Sequence, residues 1–196
     1  MHRDYTALEL SAIQEIVNVG TGNAATSLSQ LVRREVDLGV PGIDVVPIWD
    51  AAGKIGPAEL PVAAILTPLD SESSVSIALI FPEEAAQTLC RLLGTEHGTE
   101  MGQSALQEIG NILTGSYVTA MSTMTGQLLE PLPPAFACDM LASVVDAIIA
   151  MAAGASDTVI LLRAAISIRD EACDFSLLFL PEAGALDEIL AALGLA

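Results

Sequence analysis

Apolar residues recur every three or four positions through Ile13, Ile16, Val17, Ala24, Leu28 and Leu31, a period that predicts a long helix with one buried stripe. Its start is marked by Thr6-Ala7-Leu8-Glu9, where a Thr hydroxyl and a Glu carboxylate can satisfy free backbone donors, and the helix is expected to run to about Arg34. At about 100° per residue, Ser11, Glu15, Asn18, Gly22 and Ser29 fall together on the other, polar side. The period then gives way to runs rich in β-branched residues. Ile43 to Trp49, Pro61 to Leu69, Ser74 to Phe81, Thr158 to Ile168 and Cys173 to Leu180 read as strands. Two of these pass through Pro82-Glu83 and Pro181-Glu182 into short closing helices, with each proline expected in the first helical turn, where a missing N–H costs little.

The helical pattern returns 93 residues later. Ser11, Glu15, Asn18, Gly22 and Pro41 map on to Ser104, Glu108, Asn111, Gly115 and Pro134, and Thr99 stands where Thr6 does as the cap. The closing helices are offset by about 99 residues, so local insertions separate the copies. The copies also differ: Asp139 to Ala153 reads as a helix, whereas the residues after Pro41 read as a strand and a loop through Ile55-Gly56-Pro57. Thr95 to Gly98 is too short for an independent linker. The expected fold is therefore α/β: one domain over residues 1–196 with an internal pseudo-two-fold repeat, halves of about 1–94 and 99–196, and long motif-bearing helices packed on a largely antiparallel sheet.

Composition narrows what such a domain does. Hydrophobic residues make up 52% of the chain and aromatics 4%, so the core is aliphatic rather than absent. A net charge of −18 excludes broad nucleic-acid binding, which needs cations to neutralise phosphates, and disfavours an anionic membrane surface. The most apolar stretches are interrupted by Asp146, Gly154 and Arg163 and fall short of a spanning helix. Met1 to Leu10 shows no apolar run behind a basic segment, so a cytoplasmic location is expected. Cys90, Cys138 and Cys173 lack paired spacing and read as buried thiols; Met121, Met124, Met140 and Met151 read as core filler.

Candidate chemistry is sparse. There is no Ser-His-acid set, no cluster with metal-ligand spacing and no phosphate loop, since Gly20-Thr21-Gly22-Asn23 lies inside the first helical pattern with no strand before it. His2 sits at the start of the chain and His97 in a connection, poor places for a general base. What remains is the repeated polar face. A carboxylate accepts from an ammonium, and an amide both donates and accepts, so it can hold a water in one direction. The polar set is kept in both copies while Val17 becomes Gly110 and Ala24 becomes Tyr117, the reverse of what fold symmetry alone would preserve. Ser11 and Ser104 read as positioning residues or simply small ones, Pro41 and Pro134 as positioning elements or helix stops, and Gly22 and Gly115 as places where a partner backbone can come near.

Ser, Glu four residues on, Asn three further and Pro after another 23, together with Leu-Gln-Glu-Ile-Gly-Asn at 106–111 and Gly-Thr-Gly-Asn-Ala-Ala at 20–25, resemble the signature of the CheC/CheX/FliY chemotaxis phosphatases. The likeness runs over nearly the whole chain. It implies a phosphatase acting on the aspartyl phosphate of a CheY-type response regulator. Glu15 and Glu108 would pair with the regulator's active-site lysine, and Asn18 and Asn111 would orient the hydrolytic water. The chain would need no cofactor of its own, because the regulator supplies Mg²⁺, and a CheD deamidase is implied as a second partner. Two other functions stay open: a non-catalytic regulator-binding adapter or flagellar-switch component, and a scaffold for a deamidase.

Overall fold

The computed structural model describes residues 5–70, 75–152, 156–168 and 171–195; His2, Ser74 and Ala153 lie outside them. The chain runs α1 (Ala7–Val32), β1 (Asp37–Pro47), α2 (Ala51–Ile55), β2 (Pro61–Asp70), β3 (Val75–Pro82) and α3 (Glu83–Leu92). It continues α4 (Glu100–Thr125), β4 (Glu130–Pro131), β5 (Ala135–Met140), α5 (Leu141–Met151), β6 (Thr158–Ile168), β7 (Glu171–Pro181) and α6 (Ala185–Ala192).

Both long helices begin where the caps place them. Thr6 N donates to Glu9 Oε2 at 2.7 Å while Glu9 N donates to Thr6 Oγ1 at 3.3 Å, and Gly102 N donates to Thr99 Oγ1 at 3.1 Å. α1 ends at Arg33 and α4 at Gly126, each in the left-handed conformation that stops a helix.

The strands form one sheet in the order β1-β6-β7-β3-β2, with β4 and β5 both on the outer side of β2, and every pairing is antiparallel. Helices cover both faces, which is why the central strands read as unbroken apolar runs instead of alternating ones. Ile65, Ile77, Leu79, Leu162 and Leu177 face α1, α3, α4 and α6; Ala64, Ala78, Ile80, Leu161 and Leu178 face α2 and α5. α1 and α4 pack against one another, with α1 also on β1 and α4 on β2 and β4.

Two glycines permit this packing. A methyl group on Gly20 of α1 would lie 2.4 Å from a Tyr117 ring carbon of α4, and one on Gly110 would lie 2.5 Å from Ile65 Cδ1 of β2. The Val17-to-Gly110 difference between the helices is thus a packing requirement of the second.

Several expectations change. Asp139 and Met140, expected to open a helix, instead end the strand Ala135–Met140, which pairs with Pro61–Leu66 and covers the edge of β2; the helix begins only at Leu141. The strand expected to reach Trp49 ends at Pro47, and the loop expected after it contains the short helix α2, whose Ala51 closes the second core. Pro82 precedes α3 as its cap, and Pro181 ends β7 while α6 starts at Ala185 after a turn through Gly184 at φ 93°. Neither proline is in a first helical turn. Cys138 is exposed on the outermost strand, unlike buried Cys90 and Cys173, and Met140 and Met151 are exposed at the two ends of α5.

Candidate functional site

Ser11, Glu15 and Asn18 are all exposed on α1, and Ser104, Glu108 and Asn111 are all exposed on α4. Each trio lies on the side of its helix away from the buried stripe, as the helical phase requires. Glu15, Glu108 and Asn111 have no hydrogen-bond or ion-pair partner among the described residues, so their polar atoms face solvent. Asn18 differs: Gln14 Nε2 donates to Asn18 Oδ1 at 3.0 Å, leaving the amide donors outward. Methyl groups on Gly22 and Gly115 would meet nothing within 4 Å. Packing inside the chain does not demand these two glycines, so the space above them is open to something outside.

The motif prolines are not helix stops. β1 pairs Gly39 with Ala165 and Gly42 with Arg163, so Val40 and Pro41 together oppose the single residue Ala164. At the other edge, β5 pairs Ala135 with Leu66 and β4 pairs Pro131 with Leu69, so Leu132, Pro133 and Pro134 oppose only Thr67 and Pro68. Each motif proline therefore sits on a one-residue bulge of an outermost strand. Proline suits such a place, because it cannot donate to the ladder it interrupts. The side chain of Pro41 lies outside the described ones.

In the second copy, the bulge and the helix enclose a cleft. Asn111, Thr114, Thr67 and the segment Pro131 to Pro134 line about 380 Å³ of open space. Leu132 N donates to the Pro68 carbonyl at 2.9 Å and anchors the outer wall. The structure thus joins Asn111 and Pro134 across one cleft, a juxtaposition that sequence spacing alone left open.

Two residues of this cleft escaped the sequence reading. Thr67 is 2% exposed and Thr114 1%, and neither hydroxyl oxygen has a hydrogen-bond partner. Burying a hydroxyl without a partner costs about 1–3 kcal/mol, so a pair in one cleft is out of the ordinary. The first copy has no such pair. Thr21, which stands 93 residues before Thr114, donates to the Val17 carbonyl at 2.6 Å and lies 3.1 Å from Tyr117 Oη. Burial pushes the Tyr117 phenol above its ordinary pKa. The signal available in the sequence was the Ala24-to-Tyr117 difference.

Among the described residues, no group of three or more His, Cys, Asp or Glu side chains could hold a metal ion. Exposed acid and amide groups on a helix can bind and orient a partner's groups; on their own they lack a nucleophile, a general base placed against one, and an electrophile.

Residues 8–44 and 101–142 match the CheC-like family, and these two stretches contain all ten residues of the repeated motif. The chain is 31% identical over 148 residues to the Bacillus subtilis protein named CheY-P phosphatase CheC, covering 70% of this chain and 69% of that one. Its fold matches the crystal structure of Thermotoga maritima FliY with a TM-score of 0.76 at 17% identity, over 98% of both chains. It also matches the CheX-CheY-BeF3-Mg complex from Borrelia burgdorferi with a TM-score of 0.55 at 17% identity, over 86% of this chain and 98% of that one.

Proposed function

This chain belongs to the CheC-like family, and on that basis we propose that it is a phosphatase that hydrolyses the aspartyl phosphate of a CheY-type response regulator. The observation that carries this reading is the exposed Glu and Asn on each of two helices, in a chain so similar to a named CheY-P phosphatase.

Each face has a role to fill. Glu15 or Glu108 accepts a hydrogen bond from the regulator's active-site lysine and fixes the docking angle. Asn18 or Asn111 enters beside the phosphoryl group and holds a water by its amide. The water oxygen attacks phosphorus in line with the aspartyl oxygen; that P–O bond breaks, and the products are inorganic phosphate and the free aspartate. The metal is the regulator's own Mg²⁺, and this chain contributes positioning, a large share of phosphoryl-transfer catalysis. Ser11 and Ser104 keep the helix surface low, Gly22 and Gly115 let the partner's backbone approach, and Pro41 and Pro134 shape the rim.

The two faces belong to halves of about 1–94 and 99–196, which we read as copies of one plan. A CheD-type deamidase is a second partner in this reading, and the cytoplasm is where it works; among the described residues no helix is long and apolar enough to cross a membrane. Repulsion between a chain at −18 and an acidic regulator surface is screened within about 8 Å at physiological salt, so short-range contacts decide the encounter. The test is loss of phosphate from a Mg²⁺-loaded phosphorylated CheY-type protein with and without this chain. Acceleration supports the phosphatase; binding without acceleration supports the adapter or switch component.

A further inference from the structure

Gln14 recurs 93 residues later as Gln107, yet the roles given to Ser, Glu, Asn, Gly and Pro leave this repeated amide without one. Side chains on a helix lean towards its N-terminus, so Asn18 lies over the turn that carries Gln14, four residues earlier. The two meet there. Gln14 Nε2 donates to Asn18 Oδ1 at 3.0 Å, with Gln14 half-buried and Asn18 exposed. Glu15, three residues before Asn18, only accepts when ionised, and it makes no hydrogen bond to that amide among the described residues.

A primary amide has two chemically unlike ends of nearly the same shape, so a free one turns either its carbonyl or its N–H groups towards a partner. A donor beneath it removes the ambiguity. Gln14 takes the carbonyl, and the Asn18 N–H groups are left facing outward. The second copy has the same residue types at the same spacing, Gln107 and Asn111, without the bond among the described residues; its Asn111 stands instead in the cleft beside Pro134. The first amide is braced and the second is open.

We propose that Gln14 is a positioning residue of the first copy, which holds the Asn18 carbonyl so that the amide N–H groups meet the hydrolytic water. A water oxygen that accepts from the amide through one lone pair keeps the other for phosphorus. On an exposed helix such a pair shifts populations only about twofold, because water competes for both groups. Once a docked regulator excludes that water, the effect rises to about fivefold. The catalytic role rests on the phosphatase reading; the brace itself does not.

Two measurements test it. Three-bond NMR couplings from Asn18 Cγ to its backbone nitrogen and carbonyl carbon, taken on the unliganded full chain, report the χ1 rotamer of that side chain. They are expected to be weighted towards one staggered rotamer in the wild type and more evenly averaged in Gln14→Leu. Identical couplings in the two would overturn the brace, whether or not the chain is a phosphatase. The kinetic arm uses Asn111→Ala, which leaves only the first copy. There, Gln14→Leu, which has no donor, and Gln14→Glu, which keeps the shape but cannot donate, are each expected to lower kcat about fivefold at nearly unchanged KM for the phosphorylated regulator. Gln14→Lys, which donates and cannot accept, should keep the rate. Unchanged kcat in Gln14→Leu, wild-type kcat in Gln14→Glu, or equal losses in Gln14→Lys and Gln14→Leu would sink the positioning role.

Discussion

Tyr117 Oη and Thr21 Oγ1 lie 3.1 Å apart across the contact between α1 and α4. Because the Thr21 hydroxyl has one proton and donates it to the Val17 carbonyl at 2.6 Å, the Tyr117 hydroxyl is the donor to Thr21. The ring beneath that hydroxyl fills the space left by Gly20 and meets Phe179 edge-on, with centroids 6.0 Å apart. One side chain thus ties both motif helices to β7.

Tyr117→Phe keeps the ring and removes only the hydrogen bond, with a loss of about 1 kcal/mol in urea unfolding. Tyr117→Ala also empties a site that is fully buried, and is expected to cost about 3–5 kcal/mol. Similar losses for the two would show that the ring is not packed as described.

The same residue gives the chain an alkaline limit. Burial raises the folded pKa of Tyr117, so as pH climbs past about 10 an unfolded tyrosine releases its proton while the folded one keeps it. The unfolded state then binds fewer protons and stability falls. The contribution is complete below the unfolded pKa and is lost as pH rises towards the folded one. Urea midpoints of the wild type and Tyr117→Phe, compared at pH 8 and above pH 10, should converge at the higher pH. A constant gap would mean that the phenol titrates alike in both states.

Gly110 meets Ile65, and the overlap is with the terminal methyl of that isoleucine. Gly110→Ala gains roughly 1 kcal/mol of helix propensity and loses about 1–3 kcal/mol to overpacking, a net destabilisation. Ile65→Val removes the clashing carbon. In that background Gly110→Ala should turn neutral or stabilising, a coupling that a double-mutant cycle measures.

Gly22 and Gly115 have open space where Gly110 has none. Gly22→Ala and Gly115→Ala are therefore expected to stabilise their helices by about 0.5–1 kcal/mol while slowing dephosphorylation at the altered face. Stabilisation with undiminished activity would remove these two positions from the docking surface.

Much of this was legible in the chain. The caps at Thr6 and Thr99 placed both long helices, because their donors and acceptors are local, and the helical phase alone put Glu15 with Asn18 and Glu108 with Asn111 on exposed faces. Residues 135–140 were not legible as a strand, since only pairing with β2 makes them one. The bulges at Pro41 and Pro134 were hidden for the same reason: a bulge is defined by the strand opposite, which spacing within one segment does not reveal. Thr67 and Thr114 were missed because a threonine inside an apolar run looks the same whether or not its hydroxyl finds a partner.

The two amides decide the functional reading. Phosphate loss from a Mg²⁺-loaded phosphorylated CheY-type regulator is to be followed with the wild type, Asn18→Ala, Asn111→Ala and the double variant, each checked for an unchanged fold. Each single variant should keep part of the acceleration, and the double variant should return the regulator to its intrinsic rate. Full acceleration by the folded double variant would show that the hydrolytic water is not held by Asn18 or Asn111.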